Sequence, residues 1–468
     1  MIEVLERVVE EVKQLVSPKP EDRKLVKETA SFVIDVLREE LPRYGYEDCE
    51  VTLQGSAAKD TWLPENKEVD IFVILPKSKP REMLDGLVSV VIEIFSRRGV
   101  EWTVKYAQHP YVQLKVNNID VDVVPCYRIE PGEKPLTAAD RTPLHTRYVL
   151  SKLEERPSLR DDIRVFKRFL KCLGIYGAEI KVEGFSGYLS ELLIIYYKSF
   201  IDLVREVASK WKPYHVVIDP EGHYKDRETP KKLFETHPLI VIDPVDPMRN
   251  AAAAVSIESM STLILGCKLL LNRPSLNFFT YHAPPDESKL IGRLLPPALI
   301  VMLPYPESAV PDTVWGEAKR LARSLWNVLE RYEFKPYHVQ VWTDERQHVL
   351  IMMTLEELDL PPHQLHQGPP VYSDDAIKFV EKYLRDSECL GPFIMRDRVY
   401  VVKRRKYPTA ETLLKAQLPQ VAPRHFKKLL DRAKILRIEK LEDLKKVPPE
   451  IRDIIVQHLL KRPQWLPS

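Results

Sequence analysis

The 468-residue sequence has few cysteines and no long apolar run. Its five cysteines are scattered and no two stand in a Cys-x-x-Cys pair, so neither a disulfide framework nor a zinc site is indicated. The longest apolar runs, such as 192–197 and 298–303, are far too short to span a bilayer. The first residues carry acidic side chains where a signal peptide has a basic segment followed by an apolar one. We therefore expect a cytoplasmic protein without a membrane partner.

Internal repeats and low-complexity tracts are also lacking. Hydrophobic residues make up 44% of the chain and charged residues 29%, which is an ordinary globular mixture. A chain of this length suggests about three domains.

The net charge of +2 hides an uneven distribution. Residues 401–468 contain 17 Lys and Arg against 7 Asp and Glu, a local balance of +10, so the first 400 residues sum to −8. A basic segment attached to an acidic body is typical of a polyanion-binding protein. A solvated helical surface is the alternative interpretation.

The apolar patterns predict an α+β, multidomain protein. Residues 1–140 have the pattern of a helix followed by a mixed or antiparallel sheet with one further helix, and residues 141–270 are mainly helical. The long periodic segments of this helical part lie near 142–154, 159–173, 185–209 and 253–270. Residues 271–468 combine an αβ body with a basic, helical C-terminal region. The body has a strand–helix–strand–strand order, which suggests a ferredoxin-like sheet. These four segments are 298–303, 312–332, 337–342 and 348–354.

Three strands in the first segment can be placed from sequence. The β-branched and aromatic run 69–75 ends at a proline and is typical of a buried strand. Residues 111–116 and 119–124 are separated only by Asn117 and Asn118. Because asparagine tolerates positive φ, this pair predicts a two-residue hairpin turn.

Acidic residues in these apolar strands are the informative feature. Glu68 and Asp70 are two residues apart, as are Asp120 and Asp122, so each pair points to one side of its strand. If the strands are neighbours, three or four carboxylates converge, and such a patch needs cations. Carboxylate oxygens are Mg²⁺ ligands, and two such ions form the usual clamp for in-line phosphoryl transfer. Ordinary surface alternation is the alternative for each pair alone.

A seat for the phosphates precedes these strands. Gly55 and Ser56 follow a short strand, and Gly allows close backbone approach while Ser offers a hydroxyl. Lys59 adds a positive charge. A Gly-Ser pair alone is a common turn, but the combination with the acidic strands predicts a nucleotidyltransferase.

At these residues the sequence resembles the DNA polymerase beta-type nucleotidyltransferase superfamily, and within it the archaeal (class I) CCA-adding enzymes. The similarity covers most of residues 50–285 strongly and the remainder diffusely. The segments that carry it are GSAAKDTWL (55–63), VDVVPCY (121–127), DRTPLH (140–145), GIYGAE (174–179), GFSGYL (184–189), DPVD (243–246), PSL (274–276) and, more loosely, GPF (391–393) and 405–411.

The resemblance implies template-independent addition of C, C and A to the 3′ end of tRNA from CTP and ATP. Glu68, Asp70 and Asp122 would be the catalytic ligands of two Mg²⁺ ions. Arg249 would lie beside the incoming base, where a guanidinium can bond acceptors on cytosine or adenine. The full set of implied nucleotide-binding residues is Ser56, Lys59, His145, Lys167, Tyr176 and Arg249.

Two residues depart from the pattern of this family. Asp60 stands where glycine is usual and places a negative charge beside the phosphate seat, and Lys59 stands where some members have arginine. Neither change removes an implied metal ligand, so activity is expected. The role of Asp120 is left open between an outer partner of the metal ligands and a residue facing solvent.

Other interpretations stay open at this point. The chain could be a poly(A) polymerase-like or oligoadenylate synthetase-like polymerase, or an inactive RNA-binding relative. Without the resemblance, His145 could be an ordinary polar residue, Tyr176 a turn aromatic and Lys167 a solvated lysine. The implied partners are the acceptor end and body of tRNA, and the sequence leaves a homodimer open.

Overall fold

The computed structural model of the protein describes residues 2–106, 110–281 and 294–461, together with residues 463, 465 and 466. The chain forms two compact units, residues 1–283 and 284–466. Both units contain helices and strands, which confirms the predicted α+β, multidomain class. The predicted domain boundaries at 140 and 270 stay predictions. In the part of the chain described, no helix combines the length and apolar character needed to cross a membrane.

The first unit contains a mixed sheet together with helices and a smaller sheet. Its helices are α1 (Ile2–Val16), α2 (Pro20–Glu40), α3 (Gly55–Lys59), α4 (Arg81–Ser96), α5 (Thr142–Glu155), α6 (Leu159–Cys172), α7 (Gly187–Tyr197), α8 (Phe200–Lys210), α9 (Glu228–Leu233) and α10 (Ile257–Asn272). Its strands are β1 (Glu50–Gln54), β2 (Glu68–Leu75), β3 (Glu101–Tyr106), β4 (Pro110–Val116), β5 (Ile119–Tyr127), β6 (Val216–Ile218), β7 (Leu239–Asp243) and β8 (Asp246–Asn250).

The larger sheet has the strand order β1-β2-β5-β4-β3. Strands β2 and β5 run parallel, while the other neighbours are antiparallel, so the sheet is mixed. The predicted hairpin joins β4 and β5, with φ of 52° at Asn117 and 61° at Asn118. Two successive left-handed residues match the twist of the strands they connect.

The two faces of this sheet differ in chemistry because side chains alternate along a strand. Val69, Ile71 and Val73 on β2 are buried in one core with apolar side chains of α2 and α4. Glu68 and Asp70 therefore point to the opposite face. The acidic residues lie away from the helix-covered core, as their spacing of two predicts.

The register of β2 and β5 brings the acidic residues side by side. Glu68 lies opposite Asp120, and Asp70 lies opposite Asp122. The predicted proximity of the two acidic strands is confirmed, and it comes from direct parallel pairing.

The segment after β5 is largely helical, with two corrections. The predicted helix over 185–209 is two helices, α7 and α8, interrupted at Lys198, whose φ is 69°. Strands β6, β7 and β8 form a small sheet that the sequence analysis did not predict. Strand β7 is fully buried, but β6 has only three residues, too few to show a period of two.

The second unit contains two sheets. Its helices are α11 (Pro311–Arg331), α12 (Asp375–Leu384), α13 (Ala410–Val421), α14 (Arg424–Lys427) and α15 (Pro449–Leu460). Its strands are β9 (Ala298–Pro304), β10 (Pro336–Thr343), β11 (His348–Leu355), β12 (His363–Pro370), β13 (Cys389–Met395), β14 (Arg398–Arg404) and β15 (Lys434–Ile438).

The sheet of the body is ferredoxin-like, as predicted. Its strand order is β10-β11-β9-β15, all neighbours are antiparallel, and the elements follow the chain order β9-α11-β10-β11-α13-β15. Strands β12, β13 and β14 form a separate sheet inserted between β11 and α13. The C-terminal region is helical as expected, except that β15 is the edge strand of the ferredoxin-like sheet.

Candidate active site

Three carboxylates on β2 and β5, which we call the carboxylate patch, are Glu68, Asp70 and Asp122. Glu68 is exposed at the start of β2, while Asp70 and Asp122 are half-buried. On its other side Asp122 accepts a hydrogen bond of 3.0 Å from Nε2 of Gln113, which lies opposite it on β4. The patch therefore extends across neighbouring strands on one face of the sheet.

Gly55 brings the backbone of α3 directly against this patch. Its φ is +65°, and a Cβ added there would lie 1.9 Å from Oδ2 of Asp70. Only a residue without a side chain fits this position, since any other would collide with the carboxylate. Ser56 follows as the second residue of α3. The structure thus places the Gly-Ser segment against the acidic strand, while its role as a phosphate seat stays a prediction.

The carboxylates share one electrostatic environment. Burial, followed by the charges of Asp122 and Glu68, raises the pKa of Asp70 to about 7. Burial also raises the pKa of Asp122 to about 6, with the hydrogen bond from Gln113 acting against it and Glu68 adding to it. Like charges at such spacing disfavour ionisation unless cations are present.

The donor set of the patch fits hard divalent cations, because each residue supplies only carboxylate oxygens. In the described residues, however, no three His, Cys, Asp or Glu side chains are already arranged around a metal position. Burial and the charges of neighbouring acids, which raise both aspartate pKa values, also oppose convergence of the ionised carboxylates without an ion. The backbone register, and not a preformed cage, is what brings these ligands together.

The two lysines predicted to bind phosphate both form ion pairs with one acid, Glu191. Nζ of Lys59 lies 2.5 Å from Oε2 of Glu191, and Nζ of Lys167 lies 3.0 Å from Oε1. Thr61 Oγ1 donates to the same Oε1 at 2.6 Å. All three side chains of this ion cluster, Lys59, Lys167 and Glu191, are buried. We call it the lysine cluster.

Tyr176 belongs to the same region. A Cβ added to Gly187 would lie 3.0 Å from the Tyr176 hydroxyl and 3.8 Å from Nζ of Lys167, so both side chains approach one glycine at the start of α7. Burial raises the pKa of Tyr176, and the charges of Glu191 and Glu68 add to this. The tyrosine thus lies within electrostatic reach of the lysine cluster and of the carboxylate patch.

Glu191 was not predicted from the sequence. Burial alone would raise its pKa, but Lys167 and Lys59 outweigh burial and bring the value to about 2. A signal for it exists in the sequence, where it is the one acid in the apolar run 189–195. A buried acid in an apolar helix requires a cationic partner.

His145 and Arg249 both contact a second buried acid, Asp243. No role was predicted for Asp243 from the sequence. His145 Nε2 lies 2.9 Å from Asp243 Oδ2, and Arg249 Nη1 donates to the same oxygen at 2.7 Å. Tyr188 donates to Asp243 Oδ1 at 3.1 Å and stacks on the His145 ring with 3.9 Å between centroids. We call these four residues the Asp243 cluster.

Charge pairing governs the Asp243 cluster. Burial pushes the pKa of Asp243 upward, but the hydrogen bond from His145 and the charge of Arg249 bring it to about 2. Burial lowers the pKa of His145, against the effect of Asp243. Tyr188 provides both a hydrogen bond and a stacking face within this cluster.

The unusual Asp60 is charge-compensated. Its φ is 52°, the left-handed conformation that glycine adopts most easily. Both carboxylate oxygens lie 3.2 Å from Arg23 Nε, and Oδ2 lies 2.8 Å from Arg164 Nη2. The negative charge of Asp60 is therefore paired with two arginines.

Asp120 has a partner of its own. Its Oδ1 lies 2.8 Å from Nζ of Lys115, directly opposite on β4, and its side chain is 41% exposed. It lies at the solvent edge of the patch and raises the pKa of Asp122 through its charge.

Family comparisons divide the chain into three matching segments. Residues 34–145 match the nucleotidyltransferase domain, residues 161–280 match the second domain of tRNA nucleotidyltransferases, and residues 298–435 match the C-terminal domain of CCA-adding enzymes.

Among solved structures, the Cid1 poly(U) polymerase bound to MgGTP has a similar chain path. Its TM-score is 0.46 with 15% sequence identity, over 57% of this chain and 94% of Cid1.

Similarity to known proteins extends over most of the sequence. The CCA-adding enzyme of Pyrobaculum neutrophilum is 45% identical over 414 residues, which are 88% of this chain and 94% of that protein. The enzyme of the same name from Pyrobaculum islandicum is 43% identical with the same coverage. That of Saccharolobus solfataricus is 38% identical over 88% of this chain and 92% of its own length. With acidic strands, Gly-Ser helix and all three family segments present in order, this chain belongs to the family of CCA-adding enzymes.

Proposed function

We propose that this chain adds C, C and A to the 3′ end of tRNA from CTP and ATP, without a nucleic-acid template and with release of pyrophosphate. Membership of the CCA-adding family supports the reaction. The observation that supports the site best is the in-register pairing of Asp70 with Asp122, with Gly55 against Asp70.

Glu68, Asp70 and Asp122 would hold two Mg²⁺ ions, which when bound lower the pKa of the attacking 3′-hydroxyl and stabilise the leaving pyrophosphate. The part of the protein is to hold three carboxylates on one rigid sheet face. Gln113 fixes the orientation of Asp122 by its 3.0 Å hydrogen bond. Outer partners of this kind orient metal ligands.

Ser56, Lys59, Lys167 and Tyr176 would seat the triphosphate. Both lysines are held by Glu191, so the lysine cluster carries one net positive charge rather than two. A buried, preoriented positive charge stabilises phosphate negative charge more effectively than a mobile one in water. Lys59 supplies this charge without the bidentate geometry that arginine would offer.

Arg249 and His145 would contact the incoming nucleotide from the Asp243 cluster. Arg249 uses Nη1 to bind Asp243, and its side chain is 35% exposed. A planar guanidinium fixed at one end presents its remaining donors in a defined direction. This arrangement suits a pocket that accepts cytosine and adenine through their acceptor atoms and refuses uracil and guanine.

The second unit would bind the acceptor end and body of tRNA. It contains a cavity of 610 Å³ lined by the ends of β9, β11 and β15 and by the loops beside them. The charged residues of this lining are three cations, Arg346, Arg432 and Lys434, and one acid, Glu307. Within the described residues, none of these three side chains has an ion pair. Such cations suit phosphate contacts, which position RNA by charge and shape.

The deciding experiment supplies purified protein and Mg²⁺ with a tRNA lacking its 3′ terminus, and offers each NTP singly and in pairs. We expect two additions with CTP alone, and three when CTP and ATP are both present. Long A tails, or no use of CTP, would instead favour a poly(A) polymerase-like or oligoadenylate synthetase-like enzyme. Binding of tRNA without any incorporation would favour the inactive RNA-binding relative.

Two further expectations belong to the proposal. A tRNA-finishing enzyme is expected to work in the cytoplasm. The homodimer left open by the sequence is tested by light scattering of the purified protein with and without tRNA.

A further inference from the structure

One face of α6 carries three cations that point to the end of α3. Their spacing of four and three residues places them on one side of a helix. Each donates to a different backbone carbonyl, and the three carbonyls are consecutive in the chain. The pairs are Arg160 with Lys59 at 3.1 Å, Arg164 with Asp60, and Lys167 with Thr61 at 3.1 Å.

The first of these carbonyls, that of Lys59, belongs to the last turn of α3, and the other two follow it directly in the chain. The last turn of a helix has free C=O groups, and cations there are favourable. Helix α3 has only five residues, Gly55–Lys59, and a helix of that length is not stable by itself. Its position therefore depends on the side chains that hold its end.

Asp60 adds a second attachment at the same point. Arg164 Nη2 contacts both the carbonyl of Asp60 and, at 2.8 Å, its carboxylate. Arg23 from α2 binds that carboxylate from another element. The residue that departs from the usual glycine is thus part of the attachment between α3, α6 and α2.

We propose that Arg160 and Arg164 are positioning residues for nucleotide binding, acting through α3. The inference rests on the proposed function and deepens it. Helix α3 begins at Gly55, where its backbone meets the Asp70 carboxylate, and it ends at the carbonyls that the arginines hold. Releasing that end lets the helix shift against Asp70, which changes the space available to the triphosphate beside Ser56.

The first test compares Arg160→Ala with Arg98→Ala. Arg160 is half-buried and donates to the carbonyls of Lys59 and Leu153. Arg98 is a matched control, since it binds the Ile94 carbonyl at 3.2 Å and Glu40 at 2.7 Å, away from α3. We expect Arg160→Ala to raise the KM for CTP and ATP roughly tenfold, the effect of one charged hydrogen bond, with an unchanged Kd for tRNA. Arg98→Ala should leave both constants unchanged.

A second variant, Arg164→Lys, keeps the charge but loses the guanidinium, whose Nη2 reaches the carbonyl and the carboxylate of Asp60 while Nη1 binds Asp161. It should fall between wild type and Arg160→Ala in nucleotide KM. Unchanged nucleotide KM in both variants would overturn the proposal. A parallel loss of nucleotide binding, tRNA binding and Tm would also overturn it, because that pattern marks general destabilisation.

Asp60→Gly separates the backbone contact from the side-chain contact. Glycine accepts a φ of 52° and leaves the carbonyl available to Arg164, so nucleotide KM should stay within roughly threefold of wild type. A rise as large as that of Arg160→Ala would overturn the role of the carbonyl contacts.

The same variants are also scored by direct binding of Mg-ATP, measured by calorimetry without tRNA. If the wild type binds ATP but does not extend tRNA, the proposed function fails while the positioning role is still measured. If ATP affinity is equal in wild type and Arg160→Ala, the positioning role fails and the proposed function is untouched.

Discussion

The environment of the Asp70 carboxylate combines burial with nearby charges of both signs. Burial and the charges of Asp122 and Glu68 raise its pKa to about 7, while Lys59 and Lys167 act in the opposite direction. The backbone of Gly55 closes off one side. A group in this position is poorly placed to contribute stability as a free acid, but well placed to bind a cation.

We expect Asp70→Asn to reduce nucleotide incorporation by more than roughly a hundredfold, since loss of even an outer partner of a metal ligand costs 10–100-fold. tRNA binding should be unaffected, because the amide keeps the shape of the side chain. Primer extension and filter binding on the same preparation measure both quantities.

The matched control is Asp120→Asn on the neighbouring strand. Asp120 is paired with Lys115 and is 41% exposed, so its variant should keep most of the wild-type activity. Equal activity of wild type and Asp70→Asn would remove Asp70 from the metal-binding set.

The second residue-scale prediction concerns Gly55→Ala. The new Cβ would collide with the Asp70 carboxylate, and the residue would hold a φ of +65°. We expect a loss of incorporation together with a strain of roughly 1–3 kcal/mol in stability. Gly99→Ala is the control, because Gly99 has a φ of +67° but no atom within 4 Å of an added Cβ. Its variant should show a comparable backbone effect on Tm and normal activity; an active Gly55→Ala would contradict the close packing.

The proximity of the acidic pairs on β2 and β5 could be predicted from sequence, because a strand has a period of two and acids in apolar strands are rare. The choice of Glu68, Asp70 and Asp122 as metal ligands came from the family resemblance and stays a prediction. The partners Glu191 and Asp243 were missed because each is satisfied by side chains distant in sequence, such as Lys59 for Glu191. Such pairing follows only from the packed fold.

At the scale of elements, Glu191 joins three helices. It lies on α7 and binds Lys59 from α3 and Lys167 from α6. Its pKa of about 2 lies below the ordinary 4.5, so its ionised form contributes stability above pH 4.5, and that contribution is lost as pH falls towards 2.

We therefore expect Glu191→Gln to lower the stability by roughly 3–5 kcal/mol at pH 7, because two buried lysines lose their counter-ion. The variant should also lose less stability than the wild type between pH 4.5 and 2. Calorimetric Tm values across this pH range test both expectations. Glu356→Gln is the control, since Glu356 forms an exposed pair with Lys335 and should change stability by at most about 1 kcal/mol. Identical acid profiles for wild type and Glu191→Gln would contradict the ion cluster.

Elements with a clear periodicity of apolar residues were predicted well from sequence, and short elements were not. The pattern located α6 and the β4–β5 hairpin nearly to the residue. Strands β6 and β15 were missed, since three and five residues show no clear periodicity and their pairing partners lie elsewhere in the chain. The break at Lys198 was missed because a left-handed residue other than glycine or asparagine carries no sequence signal.

At the scale of the whole molecule, charge is distributed unequally along the chain. The C-terminal residues 401–468 carry +10 and contribute Arg432 and Lys434 to the cavity of the second unit. Exposed cations of this kind release counter-ions when they bind a polyanion.

We expect the triple variant Arg346→Ala, Arg432→Ala and Lys434→Ala to weaken tRNA binding and to reduce the slope of log K against log salt by roughly 2–3. Titrations at several salt concentrations measure this slope. The control is a triple alanine variant of exposed lysines already paired with an acid one turn away. These are Lys24, Lys210 and Lys231, paired with Glu28, Glu206 and Glu228. Equal slopes for the two triple variants would remove the cavity from the tRNA-binding surface.

The broad class and family were predictable from sequence, because several long motifs occur in the right order. The prediction of a CCA-adding enzyme is confirmed by relatives that are 38–45% identical over 88% of the chain. The division into compact units was less accessible from sequence, since it depends on packing density and not on local pattern.

The parallel register of β2 and β5 restricts how this part of the chain can change in length. Adding or deleting one residue inside either strand would turn its acids into the apolar interior while those of the other strand stay outside. Length changes in the loop 76–80, between β2 and α4, leave this pairing intact, whereas β4 is itself held in register against β5. The gene can therefore gain or lose codons in that loop, but one codon added or lost within β2 or β5 would separate the paired acids.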